Sequence, residues 1–477
     1  MAESCPVYLA GNWTTTDDPL AVHNPYDDDP IGDTYFIDAD GVDRTIEAAH
    51  EARKAMRAMP IHARARILRH VARRIEEEAE DLARQIAREA GKPIKAARTE
   101  VDRAVLTFQT SAEEAGRIQG ESFPMDWDEA GQGRFGIVKR VPVGPILAIT
   151  PFNFPLNLVA HKLAPAIAAG NPVVVKPSER TPLSALALAR LMDETELPHG
   201  ALSVINARPD LYDSLIGDER FRMMTFTGSA DVGWALKRRT AAPHVALELG
   251  GNAGVIVDAD ADVEHAAARI AAGGFSYAGQ SCISVQRVYV HEDQMEVLRN
   301  RLLERAGNLS LGDPLDEATD LGPMIAPEAA ARTHEWVQEA VEAGADVLVG
   351  GEPIQDGRGF QPTVLANVDP ASTVCREEVF APLVMLIPFG TFSEAVSQLD
   401  DSVYGLQAGV FTRELEHAMY AFEHLEVGGV LINDVPTWRI DPMPYGGVKN
   451  SGLGREGPKY AMEEMTERRL LVVNRLA

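Results

Sequence analysis

At 477 residues the chain is too long for one hydrophobic core, so we expect two or three domains. Its 71 acidic residues against 45 basic ones give a formal net charge of −26, which would repel nucleic acid and anionic membranes. No apolar run reaches the ~18 residues of a membrane helix, three cysteines make no disulfide framework, and no Cys or His cluster has metal-site spacing. We therefore expect a cytoplasmic protein that binds no metal, nucleic acid or membrane.

The negative charge is open to two interpretations. Lysine occurs only nine times, and acidic clusters such as "TTDDP" and "YDDDP" crowd the N-terminal region. A salt-rich cytoplasm, where counterions screen self-repulsion, favours such a surface. An ordinary acidic protein whose genome prefers Arg to Lys would look the same, so a halophilic source stays a hypothesis.

The chain begins with predicted helices. Over residues 42–118, apolar residues recur every three or four positions, as in "ARILRHVARRIEEEAEDLARQIAREAG", and this spacing is typical of amphipathic helices. Gly91 and Pro93 end that helix. The next stretch, 119–139, contains "EAGQG" between two strand-like runs and predicts a β-hairpin.

From about residue 136, short apolar runs alternate with helical segments, which predicts a parallel sheet covered on both faces. The runs of this series are "GPILAITP", "PVVVKPS", "ALSVIN", "MMTFTGS" and "HVALELGG". A second series of the same kind begins near residue 252. The final "TERRLLVVNRLA" predicts a late strand whose exposed apolar side chains need a partner in another subunit.

Two segments at strand ends could hold a nucleotide. "MMTFTGSADVG" runs from a strand through Gly228 and Ser229 into a helix, whose free N–H groups and positive dipole end suit a pyrophosphate. Lys176 and Glu179 follow another strand, where their side chains could bond to ribose hydroxyls. The alternatives are an ordinary glycine turn and a solvated charge pair.

Three further residues could carry chemistry. Cys282, in "GQSCISVQ", is either a small buried hydrophobe or a nucleophile. Glu248, within the apolar "VALELGG", could be a general base, because burial raises the pKa of a carboxyl group; a Glu that reaches solvent is the alternative. Asn153, in "ITPFNFPLN", could donate its amide to an oxyanion or could simply form a turn.

Taken together, these segments resemble the aldehyde dehydrogenase superfamily along essentially the whole chain. Seven landmarks stand in the family's order: "PFNFP", "KPSERTP", "FTGSADVG", "LELGG", "GQSC", "EEVFAP" and "PYGGVKNSGLGREG". Gly254 in "GGNAG", and Ser284 and Gln286 in "CISVQ", depart from the usual pattern. The chain looks most like the branch around lactaldehyde and non-phosphorylating glyceraldehyde-3-phosphate dehydrogenases.

The resemblance implies a role for each candidate catalytic residue. Cys282 would attack the aldehyde and form a hemithioacetal, whose oxyanion the Asn153 amide and the Cys282 N–H would hold. Glu248 would activate the water that hydrolyses the resulting thioester. A relative that passes its acyl group to coenzyme A would lack the glutamate found here as Glu248. A catalytically silent binding protein would lack the nucleophile or the base.

The resemblance likewise implies a cofactor, NAD with NADP as the alternative. Lys176 and Glu179 would hold the adenosine ribose, and Ser229 would contact the pyrophosphate. Glu378, in "EEVFAP", would hold the nicotinamide ribose, with Phe380 packed beside it. The carboxylate of Glu179 favours NAD, because it would repel a 2′-phosphate.

The architecture that the resemblance implies is α/β, with two parallel-sheet domains and a β arm. Residues 1–118 and 140–250 would form the NAD(P)-binding domain and 251–430 the catalytic domain. Residues 119–139 and 455–477 would form the oligomerisation arm of a homodimer or homotetramer.

Three residues are candidates for binding the substrate: Arg103 in "TEVDRAVLTF", and Trp438 and Arg439 in "NDVPTWRIDPMPYGG". An arginine makes charge-assisted, often bidentate bonds with a carboxylate or phosphate, so we expect a short polar or anionic aldehyde such as lactaldehyde, glyceraldehyde 3-phosphate or a semialdehyde. The alternative is that Arg103 pairs with a nearby acid on its helix, Arg439 bonds to Asp441, and the enzyme has broad specificity.

Overall fold

Two mostly parallel β-sheets organise the chain, of which the computed structural model describes residues 3–475. The first sheet has the strand order Gly452–Leu453, His244–Glu248, Met223–Thr227, Ile146–Ile149, Val173–Lys176, Leu202–Val204, Val7–Leu9 and Asn12–Thr14. Its five central strands are parallel, and the strands at both edges are antiparallel.

The second sheet has seven strands in the order Asp346–Val349, Thr363–Ala366, Leu383–Phe389, Arg287–His291, Gly254–Val257, Gln407–Phe411 and Gly429–Ile432. Only Asp346–Val349 among them runs antiparallel to its neighbour. The expected α/β class is therefore confirmed. The alternating pattern predicts purely parallel sheets, and the structure differs from it in having antiparallel strands at the edges of both sheets.

The helices of the described chain are Ala39–Ala58, Ile61–Glu77, Ala79–Ala90, Ile94–Glu114, Asn157–Ala169, Leu183–Asp193, Tyr212–Ile216, Ala230–Arg239, Val263–Phe275, Glu292–Gly307, Pro327–Glu342, Thr373–Arg376, Phe392–Asp400, Leu415–His424 and Pro458–Glu464, with 3-10 turns at Glu129–Gly131, Pro209–Leu211 and Ser276–Gly279. The apolar stripe predicted near the N-terminus, including Ile67, Val71, Ile75 and Ile86, is buried. None of these helices is long and apolar enough to cross a bilayer.

Smaller sheets complete the fold. One joins Glu3–Ser4, Pro19–His23, Pro30–Ile37 and Asn206–Ala207, and two strand pairs are Pro353–Ile354 with Gly359–Phe360 and Tyr404–Gly405 with Val448–Lys449. The strand Pro30–Ile37 adds Ile37 to the core that covers the first sheet.

A three-stranded antiparallel sheet contains the predicted hairpin, Glu121–Pro124 and Arg134–Pro142, with Thr466–Asn474 added at its edge. The helix Pro458–Glu464 occupies the part of the predicted arm that precedes the late strand. Residues 476 and 477, also assigned to the arm, lie outside the described residues. The oligomerisation role and the division into cofactor-binding and catalytic domains stay predictions.

The order of the first sheet identifies where a ligand would bind. Chain order reverses between the neighbouring strands Ile146–Ile149 and Met223–Thr227. In open α/β sheets such a reversal leaves a crevice at the carboxyl ends of the strands, and ligands bind there. The segments that follow these two strands contain Asn153 and Gly228.

Candidate active site

Two adjoining cavities lie at this edge of the first sheet. The smaller, about 390 Å³, is lined by the candidates Arg103, Asn153, Glu248, Cys282, Glu378, Phe380 and Arg439. The larger, about 1150 Å³, is lined by Lys176 and Glu179, and both cavities contact Gly228 and Ser229. Trp438 lines neither cavity and is 44% exposed. The structure thus brings together every candidate except Trp438.

Cys282 lies in a turn just before the strand Arg287–His291. Its Sγ atom is half-buried and 3.0 Å from the hydroxyl oxygen of Tyr445. Burial raises the pKa of the Cys282 thiol to about 12, although the bond from Tyr445 opposes this rise. The thiol is therefore protonated near neutral pH in the cofactor-free protein.

The turn before Cys282 has an unusual backbone. Tyr277, Ala278 and Gly279 have positive φ angles of 50°, 53° and 66° in succession. Side-chain-bearing residues rarely adopt this conformation, because Cβ approaches the carbonyl oxygen that follows. Surrounding contacts must hold the turn, and such strain is concentrated at functional sites.

Asn153 joins its own loop to the turn of Cys282. Its Nδ2 group donates a hydrogen bond to the carbonyl oxygen of Gln280 at 3.0 Å. A primary amide has two N–H groups, so one remains for an oxyanion. The backbone N–H of Cys282 has no acceptor within residues 3–475. Two donors are therefore available near the thiol, as an oxyanion hole requires.

Glu248 ends the strand His244–Glu248 and is 5% exposed. Neither carboxylate oxygen has a hydrogen-bond partner among the described residues. Burial, and then the negative charge of Glu456, raises the pKa of Glu248 well above its usual range, against the opposing charges of Lys162 and Arg439. A buried carboxyl group with free oxygens and a raised pKa suits a general base or acid near neutrality.

The larger cavity contains the candidate ribose site. Lys176 is the last residue of its strand, and its Nζ atom is 3.5 Å from Oε1 of Glu179. The hydroxyl of Tyr212 donates to the same Oε1 at 3.2 Å. The carboxylate is thus fixed by two donors while Oε2 remains free to accept a hydroxyl.

The candidate pyrophosphate site is the start of the helix Ala230–Arg239. Gly228 and Ser229 connect this helix to the strand Met223–Thr227, as the sequence indicates. The first N–H groups of a helix have no partner within it and point outward. Ala230 and Asp231 line the smaller cavity and Val232 lines the larger, so the start of this helix borders both cavities.

Glu378 and Phe380 lie in a loop that Gln286 holds. The Gln286 amide donates to the carbonyls of Val374 and Glu377, at 3.1 and 2.7 Å, and accepts from the N–H of Val379 at 3.0 Å. Its departure from the usual pattern therefore has a structural role. Burial raises the pKa of Glu378 to about 7, and its Oε1 accepts the N–H of Gly251.

The second departure, Gly254, has a packing cause. A Cβ atom added at Gly254 would approach Cγ of Leu399 to 2.6 Å, so a side chain does not fit there. Phe380 has a positive φ of 56°, and its ring meets that of Phe152 edge-on at 5.9 Å. Phe152 and Phe380 both line the smaller cavity, whereas Gly254 packs against the helix Phe392–Asp400 outside it.

The two candidate arginines pair with acids, but not with the partners expected. Arg103 on the helix Ile94–Glu114 contacts Asp441, 2.9 Å away, instead of an acid on its own helix. Arg439 contacts Glu456 at 3.3 Å and stacks 3.8 Å above the ring of Tyr445. The Nε atom of Arg439 is buried and has no partner among the described residues. Arg439 therefore keeps donor capacity for an anion.

Four further residues lie in or beside this site and were not predicted from the sequence: His161, Lys162, Tyr445 and Glu456. Lys162 is 3.7 Å from Glu456, and His161 is 2.7 Å from Asp441. The sequence does contain a signal for His161 and Lys162. Both stand in the middle of "LNLVAHKLAPAIAAG", which forms a wholly buried helix, and a buried charged or polar group requires partners. Tyr445 and Glu456 lie within the landmark segment "PYGGVKNSGLGREG".

Comparisons with known proteins show which family the chain resembles. A sequence model of the aldehyde dehydrogenase family matches residues 13–471. A 3-sulfolactaldehyde dehydrogenase of Priestia aryabhattai is 45% identical over 469 residues, covering 98% of each protein. A lactaldehyde dehydrogenase of Methanococcus aeolicus is 35% identical over 473 residues, covering 98% of this chain and 100% of that protein.

A solved structure is also very similar. Aldehyde dehydrogenase 21 from Physcomitrella patens, in complex with the reaction product succinate, has a TM-score of 0.98 and 43% identity, covering 100% of this chain and 99% of that one. The expected similarity to the branch around lactaldehyde dehydrogenases is confirmed.

Proposed function

The chain belongs to the aldehyde dehydrogenase family, and on that premise we propose that it oxidises a short polar or anionic aldehyde to its carboxylic acid with NAD(P). The observation that carries the proposal is the common cavity of Cys282, Asn153 and Glu248, which adjoins the cleft of Lys176 and Glu179. A nucleophile, an oxyanion donor and a base meet there beside a space suited to a dinucleotide.

The first half of the reaction uses Cys282 and Asn153. Glu248, in the same cavity, accepts the proton of the Cys282 thiol, and the sulfur bonds to the aldehyde carbon, which gives a hemithioacetal. The free N–H of Asn153 and the backbone N–H of Cys282 stabilise the negative oxygen. NAD(P), when bound, would accept the hydride from the hemithioacetal carbon, and the acyl group would then remain on Cys282 as a thioester.

Glu248 completes the reaction. Its unpartnered carboxylate takes a proton from water, and the resulting nucleophile attacks the thioester carbon and releases the acid and the Cys282 thiol. This role requires an ionised Glu248, so hydrolysis should slow as pH falls through its raised pKa. A base in this position favours water over coenzyme A as the acyl acceptor. The presence of both Cys282 and Glu248 argues against a binding protein without catalytic activity.

The cleft fits a nicotinamide dinucleotide. Glu179, held by Lys176 and Tyr212, offers one oxygen to a ribose hydroxyl, and Glu378 supplies a second carboxylate beside the smaller cavity. The fixed Glu179 carboxylate would repel a 2′-phosphate, so NAD is proposed over NADP. Comparing kcat/KM for NAD and NADP tests this, and Glu179→Gln should shift the ratio toward NADP. A wild-type preference for NADP would refute the proposal.

The substrate class follows from Arg439 and Arg103, which line the smaller cavity. The unpartnered Nε–H of Arg439 can donate to a carboxylate, sulfonate or phosphate. Relatives named for 3-sulfolactaldehyde and lactaldehyde, and one that binds succinate, support a short polar or anionic substrate. A broad-specificity enzyme would instead accept apolar aldehydes equally well.

A substrate panel tests the proposal. We would measure kcat/KM for anionic short aldehydes and for hexanal and benzaldehyde, at low and high salt, with and without coenzyme A. Arg103→Ala and Arg439→Ala should reduce activity on the anionic substrate selectively, whereas Trp438→Ala, outside the cavity, should not. Preference for the apolar aldehydes, or an equal effect of the arginine variants on both classes, would reopen the substrate assignment.

A further inference from the structure

A buried ion pair lies behind the active site. Lys92, at the break between the helices Ala79–Ala90 and Ile94–Glu114, is 1% exposed and pairs with Glu100, which is also 1% exposed. The other oxygen of Glu100 accepts the backbone N–H groups of Leu156 and Asn157, at 2.9 and 3.1 Å. These N–H groups open the helix that follows the Asn153 loop.

The ammonium of Lys92 also contacts two aromatic rings. Its Nζ atom lies 3.7 Å from the ring centroid of Phe154 and 4.5 Å from that of Tyr277, and the two rings meet edge-on at 6.4 Å. A cation over a ring face is attracted by the quadrupole of the ring, more strongly when water is excluded. Lys92 thus attracts two rings that belong to different segments.

Each ring stands next to a proposed catalytic group. Phe154 directly follows Asn153, and Tyr277 is the first positive-φ residue of the strained turn before Cys282. The Tyr277 hydroxyl donates to the carbonyl oxygen of Ala90 at 2.8 Å, which fixes this ring to the segment that carries Lys92. The Lys92 ammonium therefore contacts one ring from each of the two segments that supply the proposed oxyanion donors, the Asn153 loop and the turn before Cys282.

We propose that Lys92 is a positioning residue, which holds the Asn153 loop against the Cys282 turn by keeping its ammonium between Phe154 and Tyr277. This inference rests on the proposed roles of Asn153 and Cys282. A contribution to stability does not explain the pair, because replacing a buried ion pair with uncharged groups of similar size is often neutral or stabilising. Burial lowers the pKa of Lys92 to about 8, against the opposing charge of Glu100, so the charge is retained near neutral pH.

The test is the double variant Lys92→Met/Glu100→Gln. It removes both charges, while the amide oxygen introduced at position 100 can still accept the N–H groups of Leu156 and Asn157. Lys95→Met is the matched control, because Lys95 lies on the helix of Glu100, Ile94–Glu114, in an exposed pair with Asp320. We expect the single-turnover burst of NAD(P)H to slow by about tenfold to about a hundredfold in the double variant, as for a catalytic group displaced by ~1 Å. Cofactor affinity and melting temperature should match the control.

A second measurement needs no turnover. Alkylation of Cys282 by iodoacetamide, followed by peptide mass spectrometry, should become several-fold faster in the double variant, because the strained turn is released. A burst and an alkylation rate equal to those of Lys95→Met would overturn the inference, as would a loss of cofactor affinity that parallels the loss of burst. A wild type without any aldehyde-dependent burst would refute the proposed function, and the alkylation rates would then still decide the role of Lys92.

Discussion

At the residue scale, the least expected feature is that the thiol of the proposed nucleophile, Cys282, is protonated near neutral pH. Cys282 is hydrogen-bonded to Tyr445, and the effect of burial on its pKa outweighs that bond. The landmark "GQSC" indicates the reactive residue but not its ionisation, since the latter depends on residues distant in the chain. Tyr445, 163 residues further on, could not be paired with Cys282 from the sequence.

The first prediction concerns this thiol. Because the pKa of the Cys282 thiol is about 12, its thiolate fraction rises about tenfold per pH unit between about pH 7 and about pH 10. The rate of alkylation of Cys282 in the cofactor-free enzyme should rise by the same factor. Tyr445→Phe keeps the ring beneath Arg439 but removes the hydroxyl, and should slow alkylation at every pH. Mass spectrometry of the Cys282 peptide measures both rates. An alkylation rate that levels off near pH ~8.5, the pKa of a free thiol, would show that burial does not raise the pKa of Cys282.

The three proposed catalytic residues could be predicted from the sequence, but the partners of the arginines could not. Cys282, Glu248 and Asn153 stand in short motifs beside strand ends, and the structure brings them to one cavity. The partners of Arg103 and Arg439 were not predictable, because Asp441 and Glu456 come from a segment that folds back over the first sheet. Trp438 shares that segment, yet its side chain faces away from the cavities, and adjacency in sequence does not reveal this.

At the element scale, alternation of strands and helices predicted both sheets, since burial on two faces produces continuous apolar runs. The turn Ser276–Gly279 was not predictable, because Tyr and Ala have no preference for positive φ. The helix Pro458–Glu464 was also missed, since seven residues are too few to establish a period.

The second prediction tests that turn. Gly279 has a φ of 66°, and a Cβ atom there would overlap the backbone carbonyl of Ala381. Gly279→Ala should therefore lower the free energy of unfolding by about 2 kcal/mol or more and reduce the burst, since the backbone itself must shift. Gly307→Ala is the control, because nothing lies within 4 Å of the added Cβ. Thermal unfolding and burst kinetics of both variants provide the comparison. If Gly279→Ala and Gly307→Ala have the same stability and the same burst, the turn tolerates a side chain and the prediction is wrong.

The third prediction concerns the edge strand Thr466–Asn474. Leu470, Leu471 and Val472 are 49%, 57% and 43% exposed, and an apolar edge strand is a template for pairing with another chain. We propose that this arm joins subunits into a homodimer or homotetramer. Leu471→Asp should reduce the mass in solution, measured by light scattering after size-exclusion chromatography. A wild-type monomer would contradict the proposal.

At the scale of the whole molecule, charge is the dominant property. A net charge of −26 destabilises the compact state through self-repulsion, which salt screens within a Debye length of about 3 Å at ~1 M. If the surface is halophilic, the melting temperature and activity should rise with KCl or NaCl. A melting temperature that is constant between dilute buffer and about 2 M salt would leave genome composition as the reason for scarce lysine.

The central claim is that Cys282 carries the acyl group and Glu248 releases it, and trapping the intermediate tests this most directly. We would mix Glu248→Gln enzyme with cofactor and an anionic short aldehyde, record the NAD(P)H burst, and determine the mass of the Cys282 peptide. We expect about one NAD(P)H per active site, an acyl group on Cys282 and slow turnover, with no burst in Cys282→Ala. A full burst in Cys282→Ala, or a Glu248→Gln enzyme that forms NAD(P)H with no acyl group on Cys282 at any time, would contradict it.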